Sequence, residues 1–244
     1  MKRLNLPISW KLPVGIKQHL GGGAGKQRVI HSDGQILMIL HKLPEIGKNS
    51  RVGVLFFKDE KGQWNSDQKQ SPEHAMKRLI KEYNSAILNL EEGADHAHTA
   101  QDYFDIQHQL VPICRAVRNL KATMLKAHDL APECEFITQY LDDAEDLDRI
   151  SDILRIDVRN AADYSMAKQA EEQSRKSDEI SLSAHKLNML VATFLPVTAI
   201  AAIFGMNLKT GLEHFNSPFL FWGLMLCSMA IGFIVKGFLT PKNR

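Results

Sequence analysis

The sequence predicts an α+β protein: a small antiparallel sheet with helices, followed by a long stalk helix that continues into the first of two C-terminal transmembrane helices. Nine of the fifteen glycines precede residue 63 and none lies between Gly93 and Gly205, so turns are concentrated near the start. Short β-branched and aromatic runs fill the glycine-rich part, and two long uncharged runs close the chain. These observations predict four segments: a β-rich cytoplasmic segment at 1–70, a cytoplasmic helical domain and stalk at 71–186, a transmembrane hairpin at 187–239 and a basic cytoplasmic tail at 240–244.

Composition excludes several classes of protein. The formal net charge is +2 over 244 residues, which gives no reason to expect a nucleic-acid partner. Three cysteines lack paired spacing, and Cys227 lies inside the second uncharged run, which argues against a disulfide framework or a zinc site. Prolines and lysines interrupt the first twenty residues, so we expect no cleaved signal peptide.

The glycine-rich part reads as four strands. The runs QRVIH, QILMILHK and RVGVLFFKD are separated by Ser32-Asp33-Gly34 and by a segment from Pro44 to Asn49. Such runs between turn residues predict a small antiparallel sheet, and Gly62-Gln63-Trp64 would close a further strand.

GGGAGK at Gly21 to Lys26 has two interpretations. Glycine backbones and a lysine can cradle phosphates, but the phosphate-binding loop requires Gly where Leu20 stands and Ser or Thr where Gln27 stands. We therefore favour a flexible linker over a nucleotide site.

Three helices follow. Ser71-Pro72-Glu73 is a good helix start, and the helical period continues until Gly93. A second helix is predicted from about Ala94 to His128. A third begins near Pro132 and continues into the membrane, since no further proline occurs before Pro196.

The third helix carries an apolar stripe, which predicts a coiled-coil-like stalk that associates with copies of itself or with the other helices: Leu147, Ile150, Leu154, Val158 and Ala161. Near its start lies a group of acidic residues that either sense a cytosolic cation or form a solvated face: Asp142, Asp143, Glu145, Asp146 and Asp148. On the second helix, His98, Asp102 and Asp105 share a face and suggest a metal site, with an ordinary exposed surface as the alternative.

The final third of the chain predicts a membrane hairpin. No Asp, Glu, Lys, Arg or His occurs from Leu187 to Leu208, and about 20 apolar residues cross a bilayer. A second run extends from Pro218 to Lys236. Lysine and arginine flank the hairpin on one side, with only Lys209 in its loop, so both termini are expected to be cytoplasmic. Two helices alone cannot enclose a polar pathway, so a channel would have to be an oligomer.

Gly205-Met206-Asn207 follows Pro196-Val197-Thr198 by about nine residues and precedes a short loop, a second span and a basic tail. This pattern resembles the CorA superfamily of divalent-cation channels. The resemblance implies a homopentameric funnel in a bacterial inner membrane that moves hydrated Mg²⁺, or Co²⁺, Ni²⁺ or Zn²⁺. It implies no cofactor beyond the transported cation, which is also a candidate regulator, and its partners would be copies of the chain, lipids and divalent cations. No nucleophile and base form a recognisable set, so we expect no enzyme activity.

One departure keeps other functions open. The magnesium-transporting branch usually has Met-Pro-Glu where this chain has Gly211-Leu212-Glu213, so only Glu213, which would attract cations, is retained. Zinc transport, as in a sister branch, and a non-conducting membrane scaffold or sensor remain alternatives.

The resemblance also assigns roles to residues of the first span. The Asn207 carboxamides of the assembled chains would form a ring at the outer mouth and bind the water of a hydrated ion. Gly205 would allow the chain to turn there, and Met206 would pack the turn against the neighbouring span. The alternative is that Gly-Met-Asn is simply the C-cap of a helix. Thr198 would supply a second polar ring, or would merely bond back to its own helix. Leu195 and Leu187 would be apolar constrictions. The complete set placed on the pore side by the resemblance is Ser181, Ala184, Leu187, Leu195, Thr198, Ala202 and Asn207.

Overall fold

The structure is a computed structural model that describes residues 6–21, 23–45, 47, 51–206 and 218–239. It divides between Ala167 and Lys168 into two compact units. The first contains a helix α1 (Val14–Gln18) and four strands: β1 (Arg28–Ser32), β2 (Gln35–His41), β3 (Gly53–Lys58) and β4 (Trp64–Ser66). The four strands are antiparallel neighbours in the order β1-β2-β3-β4, which confirms the predicted sheet.

The turn between β1 and β2 follows from its sequence. Ser32 pairs with Gln35, which leaves Asp33 and Gly34 as a two-residue loop. Both have positive φ, 52° and 73°, as the primed hairpin turns that match strand twist require. Aspartate and glycine tolerate this backbone region, so the register of the hairpin is set locally.

The sheet is covered on both faces. One face belongs to the main core that the helices share, and includes Met38, Leu40 and Phe56. The other face, with Leu37 and Phe57, packs against the N-terminal segment and α1. The sequence analysis did not predict α1, whose single buried residue, Ile16, closes this second core.

Four further helices are described: α2 (Pro72–Asp95), α3 (Ala100–Leu130), α4 (Glu135–Gly205) and α5 (Pro218–Leu239). Helices α2 and α4 begin near the predicted positions. The predicted start of the second helix at Ala94 is wrong, because α2 continues through Gly93 to Asp95. A capping box fixes the true start of α3. The Thr99 hydroxyl accepts from the Asp102 backbone N–H at 3.2 Å, and the Asp102 carboxylate accepts from the Thr99 N–H at 2.9 Å.

That capping box also excludes the suggested metal site on α3. Hydrogen bonds from Thr99 lower the pKa of Asp102, whose carboxylate is committed to the cap. Asp105 accepts from the Gln101 amide at 2.9 Å. Within the described part of the chain no group of three His, Cys, Asp or Glu side chains is placed to hold a metal ion.

The described residues of the GGGAGK segment form a packed loop, so the linker interpretation is wrong for them. Gly23 and Ala24 are buried. The Arg28 guanidinium donates to the carbonyls of Ala24, at 3.0 Å, and Lys26, at 2.9 Å. Since the loop turns carbonyl groups toward an arginine, it does not present the array of N–H donors that a phosphate needs.

The first part of α4 packs within its own chain. Leu147, Leu154 and Val158 of the predicted stripe are buried in the main core, while Ala162 rather than Ala161 continues the stripe. The predicted association with the other helices is therefore observed, whereas association with further copies remains a prediction. From Met166 to Asn188, α4 is exposed on all sides.

Candidate functional site

The second unit contains the apolar part of α4 and helix α5. Among the described residues, one helix is long and apolar enough to cross a membrane by length and composition. Its 18-residue window has a mean hydropathy of 1.7, and none of that window is buried. In α5 the described apolar stretch is the shorter Phe221–Gly237. The C-terminal part of α4 therefore has the length and apolar composition expected of the first membrane span.

Helices α4 and α5 approach each other closely at Gly232. A Cβ atom added there would lie 3.1 Å from the carbonyl carbon of Thr193 and 3.3 Å from its Cα. Ser228, one turn earlier on α5, is also buried, and its hydroxyl donates to the Leu224 carbonyl at 2.6 Å. Small residues at this spacing let two helix backbones touch. The partly buried residues of α4 in the same span are Met189, Ala192, Thr193, Pro196, Val197 and Ile200.

The predicted pore residues lie on the other side of α4. At about 3.6 residues per turn, they lie roughly opposite the partly buried side of α4 that contains Thr193 and Pro196. All of those that the structure describes are exposed: Ser181, Ala184, Leu187, Leu195, Thr198, Ala202, Gly205 and Met206. No element of the described part of the chain therefore covers this face, and its role in a pore stays a prediction.

Thr198 makes the back-bond that the alternative interpretation anticipated. Its hydroxyl donates to the Leu195 carbonyl at 2.9 Å and approaches the Phe194 carbonyl at 3.3 Å. Thr193, on the α5 side, donates likewise to the Met189 carbonyl at 2.8 Å. A donating hydroxyl retains acceptor lone pairs, so Thr198 can still accept a hydrogen bond from water on the exposed face.

The tripeptide is described only in part. Gly205 is the last residue of α4, is not among the described residues with positive φ, and would have open space around an added Cβ. Met206 is 56% exposed, and its predicted packing against a neighbouring span stays a prediction. Asn207 and Glu213, to which we assigned ion binding and ion attraction, lie outside the described residues.

The acidic group of α4 is partly neutralised by its own chain. The Asp148 carboxylate pairs with the Lys121 ammonium of α3 at 3.2 Å, and Asp146 pairs with Arg149 at 3.0 Å. Asp142, Asp143 and Glu145 are exposed. They form no three-residue metal group with other described residues, and cation sensing by this surface stays a prediction.

With this geometry established, comparisons with known proteins identify the family. The sequence model of the family described as CorA-like Mg²⁺ transporter protein matches residues 60–236, well over half of the chain. The chain belongs to this family. Among curated proteins, none matches the sequence.

Among solved structures, the full-length CmaX protein has a similar fold. The full-length CmaX protein superposes with a TM-score of 0.52 at 12% identity, over 88% of this chain and 77% of that one. CorA magnesium transporter from Methanocaldococcus jannaschii gives 0.46 at 14% identity, over 89% and 80% of the two chains. The ZntB cytoplasmic domain from Vibrio parahaemolyticus RIMD 2210633 gives 0.46 at 12% identity, over 69% and 80%.

Sequence reasoning missed the residues that hold the CorA-like hairpin together. Ser228 and Gly232 are spaced by four in an apolar run, which is the signal for close helix packing between membrane helices. Neither side chain is charged or carries an amide, so a search for ion-binding groups does not find this packing signal.

Proposed function

We propose that the protein conducts hydrated divalent cations, Mg²⁺ first among them, across a membrane as a homo-oligomer in which α4 lines the pathway. The observation that carries this proposal is the two-sided environment of α4. One side packs against α5 through Thr193 and Gly232, while the opposite side, with Thr198 and Leu195, is exposed along the whole apolar span.

Exposed apolar surface supports the membrane setting. Large side chains of both helices are exposed, among them Leu190, Phe194, Trp222 and Phe233. A water-soluble protein rarely exposes apolar patches larger than a few hundred Å². Lipid covers the outer part of this surface, and copies of the chain cover the rest, since two helices cannot enclose a polar pathway. A pentamer with both termini in the cytoplasm is the arrangement we propose.

The chemistry of the span favours an ion that keeps its water. No Asp, Glu, Lys, Arg, His or Cys occurs from Leu187 to Leu208. Mg²⁺ gives up its hydration shell reluctantly, so neutral oxygens such as those of Thr198 and Asn207 suit it through bound water. Zn²⁺ prefers His nitrogen, Cys thiolate and carboxylate ligands, and this span contains no His, Cys, Asp or Glu.

The test is flux into liposomes that contain the purified full-length protein, measured separately for Mg²⁺, Co²⁺, Ni²⁺ and Zn²⁺. Thr198→Val and Thr193→Val form a matched pair, because both threonines donate to their own helix but lie on opposite sides of it. We expect Thr198→Val to reduce Mg²⁺ flux about three- to tenfold, the equivalent of roughly one hydrogen bond, and Thr193→Val to reduce it far less.

Each other outcome identifies a different function. Preferential Zn²⁺ flux would assign the protein to zinc transport, and absence of flux for every ion would support a non-conducting scaffold or sensor. Equal effects of the two substitutions, with flux present, would contradict the assignment of the pore side of α4.

A further inference from the structure

The first unit contains a cavity that the proposed transport function does not use. It has a volume of about 920 Å³, and the described residues that line it are 41–45, 47, 51 and 52, Glu82 of α2 and one side of α3. Cavities that bind small molecules typically have volumes of about 300–1,000 Å³. All of the residues that line it lie between His41 and Asn119, so it belongs to the first unit alone.

One part of the cavity wall is apolar. Leu43 and Val52 come from the β2–β3 side, and Phe104, Val111 and Pro112 come from α3. Phe104 and Val111 are 41% and 37% exposed, although both are large apolar residues of a well-packed helix. Their exposed surfaces can contact a flat apolar group that enters the cavity.

Another part of the wall is basic. Lys42, Arg51 and Arg115 line the cavity, and none of them forms an ion pair with a residue that the structure describes. Two acidic residues line it as well. Glu82 is paired with Arg78 at 3.6 Å, and Glu45 has an interaction of its own, so the three cations exceed the remaining acidic charge.

A buried polar side chain also lines the cavity. His41 is 6% exposed, and its Nε2 atom has no hydrogen-bond partner. Burial, followed by the positive charge of Arg51 and of Arg28, lowers the pKa of His41 to about 4, although a hydrogen bond with the Gly25 backbone opposes the change. The imidazole is therefore neutral at pH 7, and it lies in a positive field.

We propose that this cavity binds a small organic anion, with a flat apolar part against Phe104 and Val111 and a phosphate, sulfonate or carboxylate group between Arg51 and Arg115. Arginine pairs with such oxyanions through two parallel N–H donors, which a bare metal cation or a neutral solute cannot use. The unpartnered His41 nitrogen offers a further hydrogen bond to the polar end of the ligand.

Three related probes separate the parts of this proposal: 1-naphthyl phosphate carries both features, inorganic phosphate only the anion, and 1-naphthol only the ring. Binding of each to the full-length protein in detergent is measured by titration calorimetry. We expect saturable 1:1 binding of 1-naphthyl phosphate per chain, and binding of each single-feature probe at least about tenfold weaker. Equal binding of 1-naphthol would overturn the anion assignment, and equal binding of inorganic phosphate would overturn the apolar one.

Variants of α3 complete the test. Arg115→Ala is expected to weaken 1-naphthyl phosphate binding about tenfold, since it removes one charge-assisted contact. The matched control is Arg118→Ala, three residues along the same helix, where the arginine instead pairs with Asp152 at 3.0 Å. Val111→Trp, at an exposed position, fills the cavity without disturbing the core and should abolish binding. The proposal would be overturned if the wild-type protein showed no saturable binding of 1-naphthyl phosphate, as it would if a second copy occupied the cavity. It would also be overturned if neither Arg115→Ala nor Val111→Trp changed the affinity for 1-naphthyl phosphate.

Discussion

Substituting Gly232 by alanine tests how the C-terminal hairpin is held together. The added methyl group would meet the backbone of Thr193, with its carbonyl carbon at 3.1 Å and its Cα at 3.3 Å. These atoms belong to a helix backbone and cannot rotate away as a side chain would. The two helices must therefore separate locally, and overpacking of this kind costs about 1–3 kcal/mol.

Gly223 on the same helix provides the matched control, because nothing lies within 4 Å of a Cβ added there. Alanine at a helical glycine normally gains about 0.5–1 kcal/mol. Gly223→Ala is therefore expected to be neutral or slightly stabilising, and Gly232→Ala to be destabilising. Since the clash is with backbone atoms, adding Thr193→Ala to Gly232→Ala should not restore stability.

Thermal unfolding of the full-length protein in detergent measures the difference. Each kcal/mol corresponds to about 2–4 °C for a protein of this size. We expect a midpoint lower by several degrees for Gly232→Ala, with none of that loss for Gly223→Ala. If the two variants melt together, or if Thr193→Ala rescues Gly232→Ala, the backbone contact described here does not hold the hairpin.

Three further predictions concern pH, helix continuity and the ion. Between pH 6.5 and 4 His41 is protonated in the unfolded chain but neutral in the folded one, so the free energy of unfolding should decrease by on the order of 2 kcal/mol as the pH is lowered. His41→Leu should remove this pH dependence from thermal melts recorded between pH 6.5 and 4, and an unchanged pH profile would contradict the burial argument. Ala170→Pro costs roughly 3 kcal/mol locally in α4 and should leave flux intact while abolishing inhibition by internal Mg²⁺; identical Mg²⁺ titrations of variant and wild type would make this segment a passive stalk. Asn207→Asp should lower selectivity for a hydrated ion, because a carboxylate ring invites direct coordination; unaltered selectivity in a flux panel with higher Mg²⁺ flux would refute the outer-sphere account.

Local signals predicted most of the secondary structure. The Asp33-Gly34 turn, the Ser71 cap and the β-branched and aromatic run of β3 each depend on neighbouring residues, and the structure has all three where they were expected. The start of α3 was misplaced because Gly93 was taken as a helix end. Helix α2 passes through Gly93, because the low helix propensity of one glycine, about 1 kcal/mol, is too small to end a helix of 24 residues.

Features that depend on distant parts of the chain could not be predicted in this way. The GGGAGK loop is packed because Gln27 donates to the Ala116 carbonyl on α3 at 2.7 Å, a contact across 89 positions of sequence. The burial of the α4 stripe against α3 has the same origin, since Lys121 and Asp148 meet only after the helices pair. For the candidate site, the family resemblance placed the pore residues on one side of α4, but only the structure showed that α5 packs on the other.

The middle of α4 differs physically from both of its ends. From Met166 to Asn188 it is exposed on every side, so no tertiary packing stabilises it in a single chain. A helical segment that is exposed on every side is stabilised by its backbone hydrogen bonds and by side-chain pairs worth only about 0.2–0.5 kcal/mol each. Removing any one side chain here changes almost nothing, whereas a proline removes a backbone hydrogen bond and clashes with the preceding turn. Any influence of the first unit that travels along α4 must therefore depend on the continuity of its backbone, which is why a backbone substitution tests such coupling more sharply than any change of charge in this segment.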